Sequence, residues 1–283
     1  MVLWDSVPLL AQNRRVCGNI SPKNLVFGHF IPTDEQTNTF FQESHNSLPK
    51  KYNGIEMVKL EKVSVSQVAA ELDKPFSMVK VTTVGDILVN VYACQGALAW
   101  HRHLDNDELF WVHEGTISLE SEWGDVRLRP GELAVVPKGV GHRSSSGLRA
   151  NVLLLRCGFA SERKNGRSRL YGVTGESKLG RVSLVEAARA ISAPLAFRTV
   201  ARVEDSVVQV AWGEGTWPME IPAFHAVMFF VLDGTATART SSSMVHLHPG
   251  DLTVVPRGAV YQLSTTRDTV LARVTREAVR RKA

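Results

Sequence analysis

Cysteine is scarce: the 283 residues contain three, Cys17, Cys94 and Cys157, odd in number and far apart. That excludes a disulfide framework and a CxxC-type site, and it suits a reducing compartment. Long apolar runs are missing as well, since nothing approaches the roughly 18 consecutive apolar residues of a membrane span. The net charge of +5 comes without a basic stripe interleaved with aromatics and without a helix-turn-helix or zinc-finger pattern. Nucleic-acid binding is therefore not expected. The basic groups Arg163, Lys164, Arg167 and Arg169, and Arg276, Arg280, Arg281 and Lys282 near the C-terminus, read as solvated loop and tail charge. The opening MVLWDSVPLLAQNRR has no basic residue ahead of its short apolar patch, so it does not read as a secretory signal. A cytoplasmic protein is expected.

What is present is the balance of a globular protein, with 44% apolar and 22% charged residues. The length allows two domains, each with its own core. The chain also repeats itself. Shifted by 119 positions, Lys59 to Ser145 aligns with Lys178 to Ser264 without a gap, with 26 identities in 87 pairs, against roughly one in sixteen by chance. Val126, Leu128, Pro130, Gly131 and Leu133 recur as Val245, Leu247, Pro249, Gly250 and Leu252. Each copy opens on a helix signal, Ser64 with Gln67 and Ser183 with Glu186, read as capping boxes before an Ala-rich stretch. Pro75 and Pro194 are expected to stop these helices. Short alternating or Val-rich segments follow (ILVNVYA, ELFWVHEG and VRLRPGELAVVP, then SVVQVAW, VMFFVLDG and VHLHPGDLTVVP). Such strands, evenly spaced between turn residues, predict an antiparallel sandwich or barrel in each copy. The polar, Gly-bearing residues 158–177 read as the connection, and residues 1–56, outside the repeat, as an arm or long loop.

The residues that carry chemistry gather in GALAWHRHLDNDELFWVHEG. Side chains alternate along a strand, so His101 and His103 project to the same side and can share one ion. Glu108 is the next acidic candidate, ahead of an apolar segment that ends at the turn residue Gly115. His142 lies just beyond the turn Pro137-Lys138-Gly139. The other histidines are assigned no chemistry: His246 and His248 align with Arg127 and Arg129 and read as exposed strand residues, His113 is placed in a turn, His225 in a loop, and His29 and His45 in the arm.

The segment resembles the first motif of the cupin superfamily, with His101, His103, Glu108 and Gly115 at the motif positions, and Gly131, Pro137, Gly139 and His142 match the second motif. Two departures leave the ligands intact: Gly96 sits one residue nearer the first histidine than usual, and Ser146 stands where an asparagine often closes the second motif. The resemblance implies an all-β protein of tandem double-stranded β-helix (jelly-roll) barrels, each preceded by a short helix. The expected organisation is an arm over 1–56, a metal-binding barrel over 57–157, a linker over 158–177, and a degenerate barrel over 178–283 that ends in the basic tail. It further implies one divalent transition metal per chain held by His101, His103, Glu108 and His142, with one or two positions left for water or substrate. Iron(II) is the first expectation; manganese, zinc, nickel and cobalt are the alternatives.

In the second copy the ligand positions carry Glu220, Pro222, Val227 and Tyr261, so that barrel is expected to serve packing. By alternation Phe110 shares the face of Glu108 and Ser144 that of His142, while Asn90 and Tyr92 form the polar face of their strand; these four are the candidate substrate pocket. The fold does not fix the reaction. The leading expectation is an iron(II)-dependent oxygenase for a small aromatic or enolic substrate, with Glu108 as ligand or proton acceptor in a barrel rich in aromatic residues, Trp100, Phe110, Trp111 and Trp123, of which Trp100 and Trp111 lie off the ligand face. The alternatives are an oxygen-independent isomerase, decarboxylase or cyclase, and a non-catalytic small-molecule or sugar binder. A small-molecule partner is expected, a homodimer is left open, and neither membrane nor nucleic acid is expected as a partner.

Overall fold

The computed structural model describes residues 51–52, 55–56, 58–158, 163–165, 178–222 and 225–276. Most of the expected arm and linker, Cys17, His29, His45 and most of the basic tail lie outside the described residues. Residues 49 to 283 form one compact unit. It is built almost entirely of antiparallel strands, as the alternating segments predict, and the two copies of the repeat are two barrels.

In the first barrel the long strand His142–Cys157 is the seam. Its first residues pair with Ile117–Ser121, and its later ones pair on one side with Ile87–Ala97 and on the other with Glu108–Glu114. A register shift between Ser146 and Ala150 bends it, so that one strand belongs to both walls. The second barrel makes the same wrap with two strands, Gln262–Thr265 and Val270–Arg276, in a four-stranded and a six-stranded sheet. Gly115 and Gly234 close the equivalent turns at φ 76° and 73°. A Cβ on either would lie 2.8 Å from Ala150 Cα or 2.7 Å from Thr269 Cα, so only glycine fits.

Alternation decides what each face does. In Glu108–Glu114 the residues Phe110 and Val112 point into the first barrel with Tyr92, Ile117 and Leu119, whereas Leu109 and Trp111 face the second barrel. Phe229 and Val231 fill the second barrel, and Met228 and Phe230 face the first. The rings of Trp111 and Phe230 meet at 4.7 Å. These two residues are 119 apart, so the contact lies where a pseudo-two-fold axis must pass. Reciprocal contacts obey the same axis. Lys62–Ser64 adds to the second barrel's sheet beside Asp251–Val255, and Val182–Ser183 adds to the first barrel's beside Glu132–Val136. Val65 N–H donates to Gly250 O at 3.0 Å and Leu184 N–H to Gly131 O at 2.9 Å. Each copy thus lends its leading strand to the other.

The helices Val65–Ala70 and Leu184–Arg189 start where the capping signals stand. Ser183 Oγ accepts from Glu186 N–H, whereas Ser64 makes no side-chain cap. The helices also end well before Pro75 and Pro194, so proline does not terminate them. No helix among the described residues is long and apolar enough to cross a membrane.

Candidate metal centre

Three neighbouring strands supply the candidate ligands. His101–His103 lies beside the start of His142–Cys157, with His101 opposite His142, and Glu108 opens the strand that runs along the far half of the same seam. The four side chains are buried, and one donor atom from each lies within 4.8 Å of the others. The ring centroids of His101 and His142 are 4.5 Å apart. Atoms bound to a common ion at roughly 2.0–2.2 Å sit about 3–4 Å apart, so small side-chain movements close this set on one ion.

The hydrogen bonds support that fit. His101 Nδ1 lies 2.9 Å from Ala99 O, and His142 Nδ1 lies 3.0 Å from Val140 O. A carbonyl only accepts, so each Nδ1 carries a proton and Nε2 is the ring atom that remains to meet an ion. His142 Nε2 then faces Glu108 Oε2 at 3.0 Å, and His103 Nε2 lies 3.3 Å from Glu108 Oε1. His142 Nε2 can donate to this carboxylate, and a metal cation in place of that proton would be held by the same two atoms. Burial opposes ionisation of Glu108, but the hydrogen bond from His142 and the charges of His103, His142 and Arg156 outweigh it and hold the carboxyl below its ordinary range. The residue that sequence placed as metal ligand is thus poised as an anion.

A second layer of residues carries no family signature. Arg102, between the two histidines, donates from Nη1 to Gly139 O at 2.8 Å and pairs through Nη2 with Glu122 Oε1 at 3.0 Å. Glu122 accepts Gly141 N–H at 2.9 Å, and Gly139 N–H donates to His103 O at 2.6 Å. Together they clamp the turn that sets Val140 O, the acceptor for His142. The second barrel reaches the site too. Glu204, at a hairpin tip, accepts Asp107 N–H at 2.9 Å, and Asp107 in turn accepts Lys138 N–H at 2.9 Å. The strand Arg163–Asn165, from the segment read as linker, pairs with His101–His103.

The four pocket candidates are all buried and converge from the barrel wall. Phe110 lies 5.7 Å from His142, and Tyr92 OH donates to Ser144 Oγ at 3.2 Å. Burial pushes the Tyr92 phenol far above its usual range, which keeps it a neutral donor. Asn90 and Phe110 both stand opposite Leu154, on one inner face. Trp111 is off the ligand face, as expected, in the contact between the barrels. His113 corrects the reading as a turn residue: it belongs to the strand Glu108–Glu114, and its Nε2 lies 2.7 Å from Ser66 Oγ. His246 and His248 are exposed, and the four-residue set in the first barrel is the one candidate metal group found among the described residues. In the second barrel Tyr261 OH donates to Glu220 Oε2 at 2.6 Å, where the first barrel has imidazoles.

Comparisons with known proteins agree with this architecture. The model of the Cupin domain matches residues 90–147, the stretch that contains all four candidate ligands. The uncharacterized protein YdbB of Bacillus subtilis (strain 168) is 30% identical over 83 residues, 29% of this chain and 74% of that one. Among solved structures, a cupin 2 conserved barrel domain protein from Leptotrichia buccalis superposes with a TM-score of 0.60 at 9% identity, covering 79% of this chain and 98% of that one. A salicylate 1,2-dioxygenase from Pseudoaminobacter salicylatoxidans, solved as adducts with gentisate, superposes with a TM-score of 0.60 at 12% identity, covering 77% and 81%. At these identities the structural likeness is one of fold.

Proposed function

The chain belongs to the cupin family, and from that premise we propose that it is an iron(II)-dependent oxygenase acting on a small aromatic or enolic substrate. The observation that carries the reading is the buried set of three imidazoles and one carboxylate, with Nδ1 of His101 and His142 engaged by backbone carbonyls so that Nε2 is the atom each ring would offer an ion. An iron ion held there supplies a redox-active Lewis acid.

The chain's own residues do the remaining work. The Arg102–Glu122 pair and the backbone carbonyls orient the imidazoles, so that little reorganisation is needed when the site fills. Phe110, Val112 and Leu154 line the inner wall and exclude water. Glu108, held as an anion, is a ligand and can accept a proton at a carboxylate oxygen. Tyr92 keeps its proton and fixes Ser144. The salicylate 1,2-dioxygenase on the same fold supports oxygen chemistry by analogy.

Protein purified without oxygen should carry about one equivalent of iron per chain, and electrode measurements should register oxygen consumption when hydroxylated aromatic acids such as gentisate are supplied. Zinc or nickel in the site, with turnover that consumes no oxygen, would replace this reading with an isomerase, decarboxylase or cyclase.

A further inference from the structure

Arg156 stands where the buried ligand cluster meets the solvent. It faces Glu108 directly across two paired strands, so both side chains project to the same inner face. Glu108 is the first residue of its strand and Arg156 the last but one of its own, which puts both at one end of the barrel. Arg156 Nη1 lies 3.7 Å from Glu108 Oε1, and its side chain is 32% exposed against 4% for Glu108.

That placement has an electrostatic consequence. Three neutral imidazoles and one carboxylate leave a divalent ion with a net charge of about +1, and Arg156 adds a permanent positive charge beside it. With Glu108 already counted, the ion and the guanidinium together would leave about two positive charges, and Arg156, a third exposed, turns that excess toward solvent, where it attracts an anion. The guanidinium offers a planar fork of N–H donors, the geometry that matches a carboxylate. Further along the same inner face lie Leu154, which follows Arg156 by alternation, and Phe110 opposite it. An ionic mouth and an apolar wall are therefore adjacent.

The second barrel is an internal control. The position equivalent to Arg156 is Thr275, and all four ligands are replaced there as well. The framework that both copies keep does not require this arginine. The neighbouring arginines are committed elsewhere, Arg102 to Glu122 and Gly139 and Arg143 to Glu120.

We infer that Arg156 is a substrate-binding residue and that the site takes a small carboxylate, its anionic end on Arg156 and its apolar body against Phe110 and Leu154. The inference rests on the metal-site reading above and narrows it to organic acids.

Salicylate and salicylamide test it, because they share a ring and a hydroxyl and differ by the charge of one group. Titration calorimetry on protein loaded with one equivalent of iron(II) under nitrogen should show salicylate binding at least tenfold tighter than salicylamide. Arg156→Gln should remove that preference, a loss of roughly tenfold to hundredfold for the acid, while salicylamide affinity, metal content and melting temperature stay unchanged. Arg156→Lys should retain part of the preference. A native protein that does not prefer the acid, or a Gln variant that weakens acid and amide equally, overturns the inference and leaves the metal site standing. Loss of metal from the Gln variant also overturns it, since Arg156 would then serve only to hold Glu108. A native protein that takes up no metal removes the metal-site reading itself, and this inference with it.

Discussion

Two clusters of ionisable groups sit on the strand Glu108–Glu114, one at each end, and their acid responses are set by different causes. At the far end from the ligands, His113 is packed against Phe230 and Gly250 of the second barrel and against Ser66. Burial lowers its pKa from the ordinary 6.5, with Glu114 opposing only in part. A group whose folded value is depressed contributes in full above its unfolded value and loses that contribution as the pH falls through the folded value. Melting temperature should therefore decline as the pH drops below about 6.5, and His113→Gln should flatten the decline in that window. An unchanged slope in the variant would assign the acid sensitivity to other groups. At this scale the convergence of the four candidate ligands was legible, because two motifs fix their spacing. Arg156 and Glu122 were not, since their roles depend on which strand lies opposite, and a single sequence does not display register.

Strands and turns carry the next level. The strand His101–His103 is short and would be a poor platform for two ligands by itself, so its rigidity comes from what grips it. Arg102 is buried and Glu122 half-buried, with side-chain exposures of 4% and 12%, and between them they hold both peptide groups of the turn that precedes His142. The second copy has Ile221 and Ser241 at these positions, so the clamp is absent where the ligands are absent. Arg102→Met should destabilise the fold by about 2 kcal/mol, because it leaves the half-buried Glu122 carboxylate without its charge partner. It should also weaken metal affinity roughly tenfold to hundredfold, as losses behind a ligand do. Equilibrium denaturation and competition with a chelator would measure the two effects, and unchanged metal affinity would reduce the pair to a structural role. The alternation of ELFWVHEG and VMFFVLDG made these strands legible, yet every residue from Glu108 to Val112 is buried, because the second face meets the other barrel. The exchange of Lys62–Ser64 and Val182–Ser183 left no trace in the sequence, since an edge of backbone hydrogen bonds needs no particular side chain.

For the whole molecule, the repeat revealed two barrels, and the contact of Trp111 with Phe230 shows how they are joined. Symmetry of that kind makes each position in one barrel a control for its counterpart 119 residues away. Gly115 and Gly234 kept their role because close backbone approach allows nothing larger, and the core residues kept theirs because packing does not depend on chemistry at the mouth. The framework does not depend on which residues stand at the four ligand positions, and the two copies differ at all of them. Tyr261 and Glu220 now occupy the equivalent places, and burial, followed by the Glu220 carboxylate, raises the Tyr261 phenol well above its normal range and keeps it a neutral hydrogen-bond donor. Glu204 meanwhile reaches across to Asp107, so the second barrel braces the loop that leads into Glu108. The two halves are therefore equivalent in fold and unequal in chemistry, which sets an asymmetric expectation. His142→Ala and Glu108→Ala should each abolish the single equivalent of bound metal, because each removes a direct bond to the ion. Tyr261→Phe should leave metal content intact and cost about 1 kcal/mol of stability from one lost hydrogen bond, part of it exposed. Metal analysis of the three variants, with a melting curve for each, decides the matter. Metal retained by His142→Ala but lost by Tyr261→Phe would place the centre in the wrong barrel.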